Sequence, residues 1–152
     1  MSSKIRGFTL IELILTITVI AIIAGMAVPL TRNTLKRQRE VELRNALHEM
    51  RIAVDKYKDS CDKGMIQQML GTECYPQKLE DLVEGVPQIG AVDKKLKFLR
   101  RIPKDPMTNS TEWGMRSYQD EPKSMSWGGQ NVFDVFTKSE GTALDGTKYN
   151  EW

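Results

Sequence analysis

The sequence predicts an α+β protein in which a long N-terminal helix packs against a small antiparallel sheet. Leu13 to Leu30 is an uninterrupted uncharged run of 18 residues, so a helix there would be apolar on every side. An apolar stripe at helical spacing follows, and the last third of the chain holds two segments of strand-like composition. The mean hydropathy of the chain is nevertheless negative. We therefore expect an apolar attachment element that carries a polar head.

The first predicted element is one continuous helix from about Phe8 to Lys58. No helix breaker lies between Thr31 and Tyr57, and apolar residues recur there at helical spacing on one face. The residues of this stripe are Leu43, Leu47, Met50, Val54 and Tyr57. The first half of the helix is apolar all round, whereas the second half is amphipathic and is expected to pack under the head.

Gly25 and Pro29 interrupt the apolar half of this helix. A proline removes a backbone donor and its ring clashes with the preceding turn, which predicts a kink near residues 25–29. The alternative is a proline without a role, because helices in membranes often tolerate proline.

The head is predicted to begin with an irregular part and to end with the sheet. Residues 59–106 contain several proline-bearing breakers, and short helices are expected over 77–84 and 95–101. Residues 112–119 and 131–138 have the composition of strands. We expect these two strands to pair across the amphipathic half of the long helix.

Charge gives no reason to expect a nucleic-acid partner. Lysine and arginine total 22, and aspartate and glutamate total 20. Lys4 and Arg6 precede Gly7, so removal of residues 1–7 would leave 20 residues of each sign. A chain without excess positive charge has little with which to neutralise phosphates.

The two cysteines, Cys61 and Cys74, both follow the apolar run. If that run carries the head across a bacterial inner membrane, both thiols enter an oxidising compartment and a disulfide is favoured. It would close a loop of about 15 residues, which the chain-entropy account values at about 3 kcal/mol. The alternative is a pair of free thiols.

The N-terminal segment allows three interpretations. It could be a secretory signal peptide with small residues near Gly25 and Ala27, although the apolar run is longer than the roughly 7–15 residues usual there. It could be a plain membrane span, since about 20 apolar residues cross a bilayer core. Neither interpretation explains Glu12, because a carboxylate inside an apolar span costs about 2.5–3.5 kcal/mol and commonly marks function.

The string Gly7-Phe8-Thr9-Leu10-Ile11-Glu12 resembles the processing site of type IV prepilins and type II secretion pseudopilins. The resemblance implies cleavage between Gly7 and Phe8 by a membrane-embedded prepilin peptidase, which then methylates the amine of Phe8. It divides the chain into a leader (1–7), a transmembrane and polymerisation helix (8–31), an amphipathic continuation (32–58) and a periplasmic head (59–152).

Cleavage would give Glu12 a partner. Phe8 would carry a charged amine, and Glu12 lies one helical turn further along the chain. When subunits stack in apolar surroundings, Glu12 of one subunit can meet the terminal amine of its neighbour, and a misregistered subunit leaves both charges unpaired. We interpret Glu12 as a residue that sets assembly register.

The basic residues around the apolar run give a conflicting topology signal. Two precede the run, whereas four follow it: Arg32, Lys36, Arg37 and Arg39. Counting positive charges would place the second cluster in the cytoplasm. The resemblance instead implies a cytoplasmic leader, an inner-membrane anchor and a periplasmic head. We expect the second cluster to pair with Glu40 and Glu42.

The C-terminal third resembles the G-type, major pseudopilin of type II secretion. The similar segments are Arg101-Ile102-Pro103-Lys104-Asp105-Pro106 and Phe133 to Ser139, continuing through Asp145 to Trp152. The resemblance implies a non-enzymatic subunit of a periplasmic pseudopilus. Its partners would be copies of itself, the prepilin peptidase and an inner-membrane assembly platform.

Two other functions stay open. One is a subunit or minor component of a type IV pilus, which serves adhesion, motility or DNA uptake. True pilins more often close their last loop with a C-terminal disulfide, whereas both cysteines here lie upstream. The other is a membrane-anchored binding domain or enzyme, which predicts a pronounced cleft and catalytic residues.

Resemblance to major pseudopilins also implies a calcium ion in the C-terminal loop. The candidate ligands are Ser139, Glu140 and Asp145 together with intervening carbonyls, since calcium prefers several hard oxygen ligands on a flexible loop. The alternative is a polar loop closed by turn residues and by packing of Trp152. No other cofactor is expected.

Overall fold

The fold is the α+β arrangement that the sequence predicts, as seen in a computed structural model. The structure describes residues 8–91 and 93–152, and for residues 26–32 it describes the backbone alone. It divides into two compact units, Met1–Gln38 and Arg39–Trp152.

The long helix, α1, runs over Leu10–Asp62 and so extends four residues beyond the predicted end. The predicted stripe is confirmed, because Leu43, Leu47, Met50, Val54 and Tyr57 are all buried, each at most 5% exposed. They join the core of the head together with residues of the sheet and the C-terminal segment, among them Trp113, Val135 and Tyr149.

Two short antiparallel sheets complete the head. Helix α2 covers Asp81–Glu84, and strands β1 (Val86–Pro87) and β2 (Lys95–Leu96) pair next to it. Strands β3 (Gly114–Arg116) and β4 (Asp134–Phe136) pair with Met115 opposite Val135. A 3-10 turn over Tyr149–Glu151 ends the described chain.

The helix predicted over 95–101 is wrong. Lys95–Leu96 forms β2 instead, and the N–H groups of Phe98 and Leu99 both donate to the carbonyl of Leu82, each at 2.9 Å. These long-range bonds satisfy backbone donors that a local helix would otherwise use. Likewise the helix predicted over 77–84 is confined to Asp81–Glu84.

The predicted strands over 112–119 and 131–138 pair with each other, but only three residues of each form the ladder. Side chains replace backbone partners beyond Arg116. Ser117 Oγ donates to the carbonyl of Asn131 at 3.0 Å, and the N–H of Tyr118 donates to Asn131 Oδ1 at 2.9 Å. The sheet is short because these bonds take the place of the next rungs.

Candidate functional site

Glu12, the expected assembly residue, lies at the beginning of α1, and Phe8 of the expected processing site precedes the helix. Gly7 lies outside the described residues. Thr9 precedes the helix, and the N–H of Glu12 donates to Thr9 Oγ1 at 3.4 Å. Thr and Glu at this spacing form the sequence pattern of a capping box, so Thr9 caps the helix, a role that was not predicted for it. Glu12 therefore sits in the first helical turn, where an acidic residue also complements the helix dipole.

Large apolar side chains cover this part of the helix on all sides. From Phe8 to Ile23 each of them is about half exposed or more, and Phe8 itself is 79% exposed. Contiguous apolar surface of this kind marks an interaction with protein or membrane. Within the residues that the structure describes, no helix combines the length and apolar character that a membrane crossing requires.

The predicted kink stays a prediction. Gly25 and Pro29 both fall within α1, and the side chain of Pro29 lies outside the described part. A Cβ built on Gly25 meets no atom within 4 Å, so the described surroundings do not require glycine there.

The predicted disulfide is present between Cys61 and Cys74, whose Cα atoms are 5.6 Å apart. Cys61 belongs to the last turn of α1, and Cys74 ends a loop that returns to it. Both half-cystines are buried in the core of the head. The bond therefore fixes the loop against the end of the helix.

The Lys104-Asp105-Pro106 motif folds around the buried carboxylate of Asp105. This carboxylate accepts hydrogen bonds from the N–H of Met107 at 2.8 Å, from Thr108 Oγ1 at 3.0 Å and from Thr137 Oγ1. Asp105 and Thr137 are both fully buried. Asp105 thus ties the turn before β3 to the residue that follows β4.

Arg116 joins β3 to the loops around it. Its guanidinium bonds the carbonyl of Ser124 at 2.7 Å, pairs with Asp134 at 3.3 Å and stacks over the ring of Phe136 at 4.1 Å. Arg51 of α1 pairs with the same Asp134 at 2.7 Å. The carboxylate of Asp134 is therefore shared between the helix and the sheet.

Glu40 has a different partner from the one expected. Its Oε1 accepts hydrogen bonds from the N–H of Leu144 and from the hydroxyl of Tyr149, both at 2.8 Å. The expectation that Glu40 forms an ion pair with the preceding basic cluster is therefore wrong. Burial, followed by the hydrogen bond to Glu40, raises the pKa of Tyr149 to about 12.

Ser139, Glu140 and Asp145 all lie in the C-terminal loop. Asp145 is engaged within the loop, because the N–H and hydroxyl of Thr147 donate to its Oδ1 at 2.9 and 2.6 Å. These hydrogen bonds lower the pKa of the Asp145 carboxyl, and Arg44 contributes to the same shift. Ser139 Oγ accepts from the N–H of Gly141 at 3.4 Å, and Glu140 is exposed. Calcium binding by these residues stays a prediction.

Comparison with known proteins places these features in a family. Residues 2–28 match the family described as "Prokaryotic N-terminal methylation motif". Type II secretion system core protein G of Escherichia coli K12 is 30% identical over 116 residues, which cover 71% of this chain and 70% of that protein. Type IV major fimbrial protein FimA of Dichelobacter nodosus is 30% identical over 105 residues, which cover 63% of this chain and 66% of that protein. No solved structure matches.

The chain belongs to the family of type IV pilin-like proteins, which are structural subunits of filaments. Within that family it fits the G-type pseudopilins. It is therefore not an enzyme, and the interpretation of the head as a catalytic domain is set aside. The methylation motif is the one by which prepilin peptidases process these proteins, and it implies anchoring in the inner membrane.

Proposed function

We propose that this protein is a structural subunit of a periplasmic pseudopilus and supports protein export by type II secretion. Subunits wait in the inner membrane, with the apolar part of α1 as the anchor, and are then stacked by an assembly platform. Growth of the filament pushes exported proteins towards an outer-membrane channel. The work is mechanical, and the chain performs no chemistry in it.

The observation that carries this proposal is the match to a core secretion protein over most of both chains. Two features of the head agree with it. The Lys104-Asp105-Pro106 motif, which resembles the G-type pseudopilins, is built into the fold through buried Asp105. The disulfide joins Cys61 to Cys74 near the end of α1, whereas the C-terminal loop is closed without cysteine.

Processing is part of the same proposal. The prepilin peptidase cuts between Gly7 and Phe8 and methylates the new amine of Phe8. Mass spectrometry of the mature N-terminus tests this directly, and we expect a chain that begins with N-methylphenylalanine. An intact leader, or cleavage near Ala27, would contradict it.

Glu12 then serves assembly by pairing with the terminal amine of a neighbouring subunit. Its position supports this role, since it lies exposed in the first turn of α1 and one turn from Phe8. We expect Glu12→Ala to abolish filament formation in cells while the protein still reaches the membrane. Thr16→Ala, an exposed and uncharged position of the same helix, is the matched control. Filaments formed by Glu12→Ala would refute the role.

Deletion of the gene in the organism that carries it separates secretion from piliation. We expect exported proteins to disappear from the medium and accumulate in the periplasm, while surface pili persist. The second candidate, a type IV pilus subunit, is favoured by the 30% identity to a major fimbrial protein. It predicts the opposite result, with pili lost and export intact.

A further inference from the structure

Three residues on one face of α1 hold the C-terminal segment. Glu40, Arg44 and Arg51 are separated by four and seven residues, so they lie along a single helical stripe. We call these three residues the C-terminal clamp. Each of them contacts a residue between 144 and 152, about a hundred positions away in the chain.

Glu40 is the most buried member of the clamp, at 9% exposure. It anchors the loop at two points, the N–H of Leu144 and the hydroxyl of Tyr149. A carboxylate with few water contacts needs such donors, because burial without them is costly. Glu40 therefore fixes both the loop and the 3-10 turn that follows it.

The two arginines hold the end of the segment. Arg44 lies over the ring of Trp152, with its guanidinium carbon 4.0 Å from the ring centroid, and approaches Asp145 at 3.4 Å. Arg51 donates to the main-chain oxygen of Trp152 at 2.9 Å. Since both side chains of the Arg44–Asp145 pair are more than half exposed, this ion pair contributes little to stability. The hydrogen bonds of Glu40, one buried and one part-buried, contribute more.

Several oxygen atoms of the loop accept hydrogen bonds from donors within the same segment. The carbonyl of Gly141 accepts from the N–H of Tyr149 at 3.0 Å, and that of Ala143 accepts from the N–H of Gly146 at 3.1 Å. Asp145 Oδ1 is bound by Thr147, and Asp145 Oδ2 faces the Arg44 guanidinium. Calcium requires six to eight converging oxygen ligands. Asp145, one of the three candidate ligands, thus has both carboxylate oxygens engaged by groups of the chain, an arrangement that does not fit a calcium ion.

We propose that the C-terminal loop, residues 139–148, is held closed by the C-terminal clamp and does not depend on calcium. The guanidinium of Arg44 and the hydrogen bonds of the chain hold the loop, where a metal ion would hold it through its charge and its coordination bonds. Folding of the head is therefore insensitive to chelators, whichever kind of filament the subunit builds.

Calcium titration of the detergent-solubilised mature chain tests the first half of the proposal. We expect the thermal unfolding midpoint to be the same in EDTA and in millimolar calcium chloride, and calorimetry to show no binding at micromolar calcium. A rise of several degrees in calcium that magnesium does not reproduce would overturn the proposal, since a ligand that binds only the folded state must raise its midpoint.

Substitution of the clamp tests the second half. Glu40→Ala should lower the midpoint by several degrees, by the same amount in calcium and in EDTA. Glu42→Ala, an exposed glutamate on the same helix, is the control and should leave the midpoint unchanged. Equal midpoints for the two variants would show that the clamp does not hold the loop.

Arg44→Ala keeps the test decisive if Glu40→Ala fails to fold. Loss of the guanidinium should speed protease cleavage within residues 139–148 and change the fluorescence of Trp152. Unchanged cleavage would refute the clamp. Calcium protection that emerges only in the Arg44→Ala chain would support it, because the arginine would then have been excluding the ion.

Discussion

Replacement of Asp105 is the sharpest test of how the head is held together. Its carboxylate is fully buried and accepts three hydrogen bonds, from the N–H of Met107 and from the hydroxyls of Thr108 and Thr137. Hydrogen bonds to a charged group are worth about 1.5–3 kcal/mol each, so the three together come to about 4.5–9 kcal/mol, which is an upper limit for the loss. Removal of the carboxylate also removes its own desolvation cost, which offsets part of that loss.

We therefore expect Asp105→Ala to reduce the free energy of unfolding by about 2–4 kcal/mol. Asp105→Asn retains one acceptor oxygen and should cost about half as much. Urea unfolding followed by tryptophan fluorescence is a suitable assay, because Trp113 donates to the carbonyl of Pro103 at 2.9 Å beside this site. Asp55→Ala, at an exposed aspartate of α1, is the control. If Asp105→Ala and Asp55→Ala differed by less than about 0.5 kcal/mol, the buried carboxylate would not organise the motif.

Three further predictions concern the loops and the pH range. The double replacement Cys61→Ser and Cys74→Ser should lower the free energy of unfolding by about 3 kcal/mol in urea titrations, and an unchanged midpoint would contradict it. Gly85→Ala should cost about 1–3 kcal/mol in the same assay, because Gly85 has φ +80° and a Cβ there would lie 2.8 Å from the carbonyl oxygen of Leu96. The pKa of Tyr149 is raised from 10.0 to about 12 in the folded protein. The contribution of its protonated hydroxyl to the free energy of unfolding is therefore complete below pH 10 and is lost as the pH rises towards 12. Between pH 10 and about 12 the thermal unfolding midpoint should therefore fall in the unsubstituted chain, and it should fall less in Tyr149→Phe.

The long helix was predictable because its signal is local and repeated. The residues from Leu43 to Tyr57 return to one face at each turn, and that periodicity alone identifies the buried side. The pairing of the two cysteines was predictable from their position after the apolar run. The extent of the sheet was not, because Ser117 and Asn131 end the ladder through side chains that meet only in the folded head.

The family, the N-terminal helix and the candidate processing site can be predicted from the amino-acid order, since all three depend on contiguous residues from Gly7 onwards. The roles of Glu40 and Asp105 depend instead on how the head folds. In the sequence Glu40 stands beside basic residues and resembles a solvated helix glutamate. Its actual partners, Leu144 and Tyr149, are more than a hundred positions away. Contacts at such separation follow from how the chain packs, and no local periodicity encodes them.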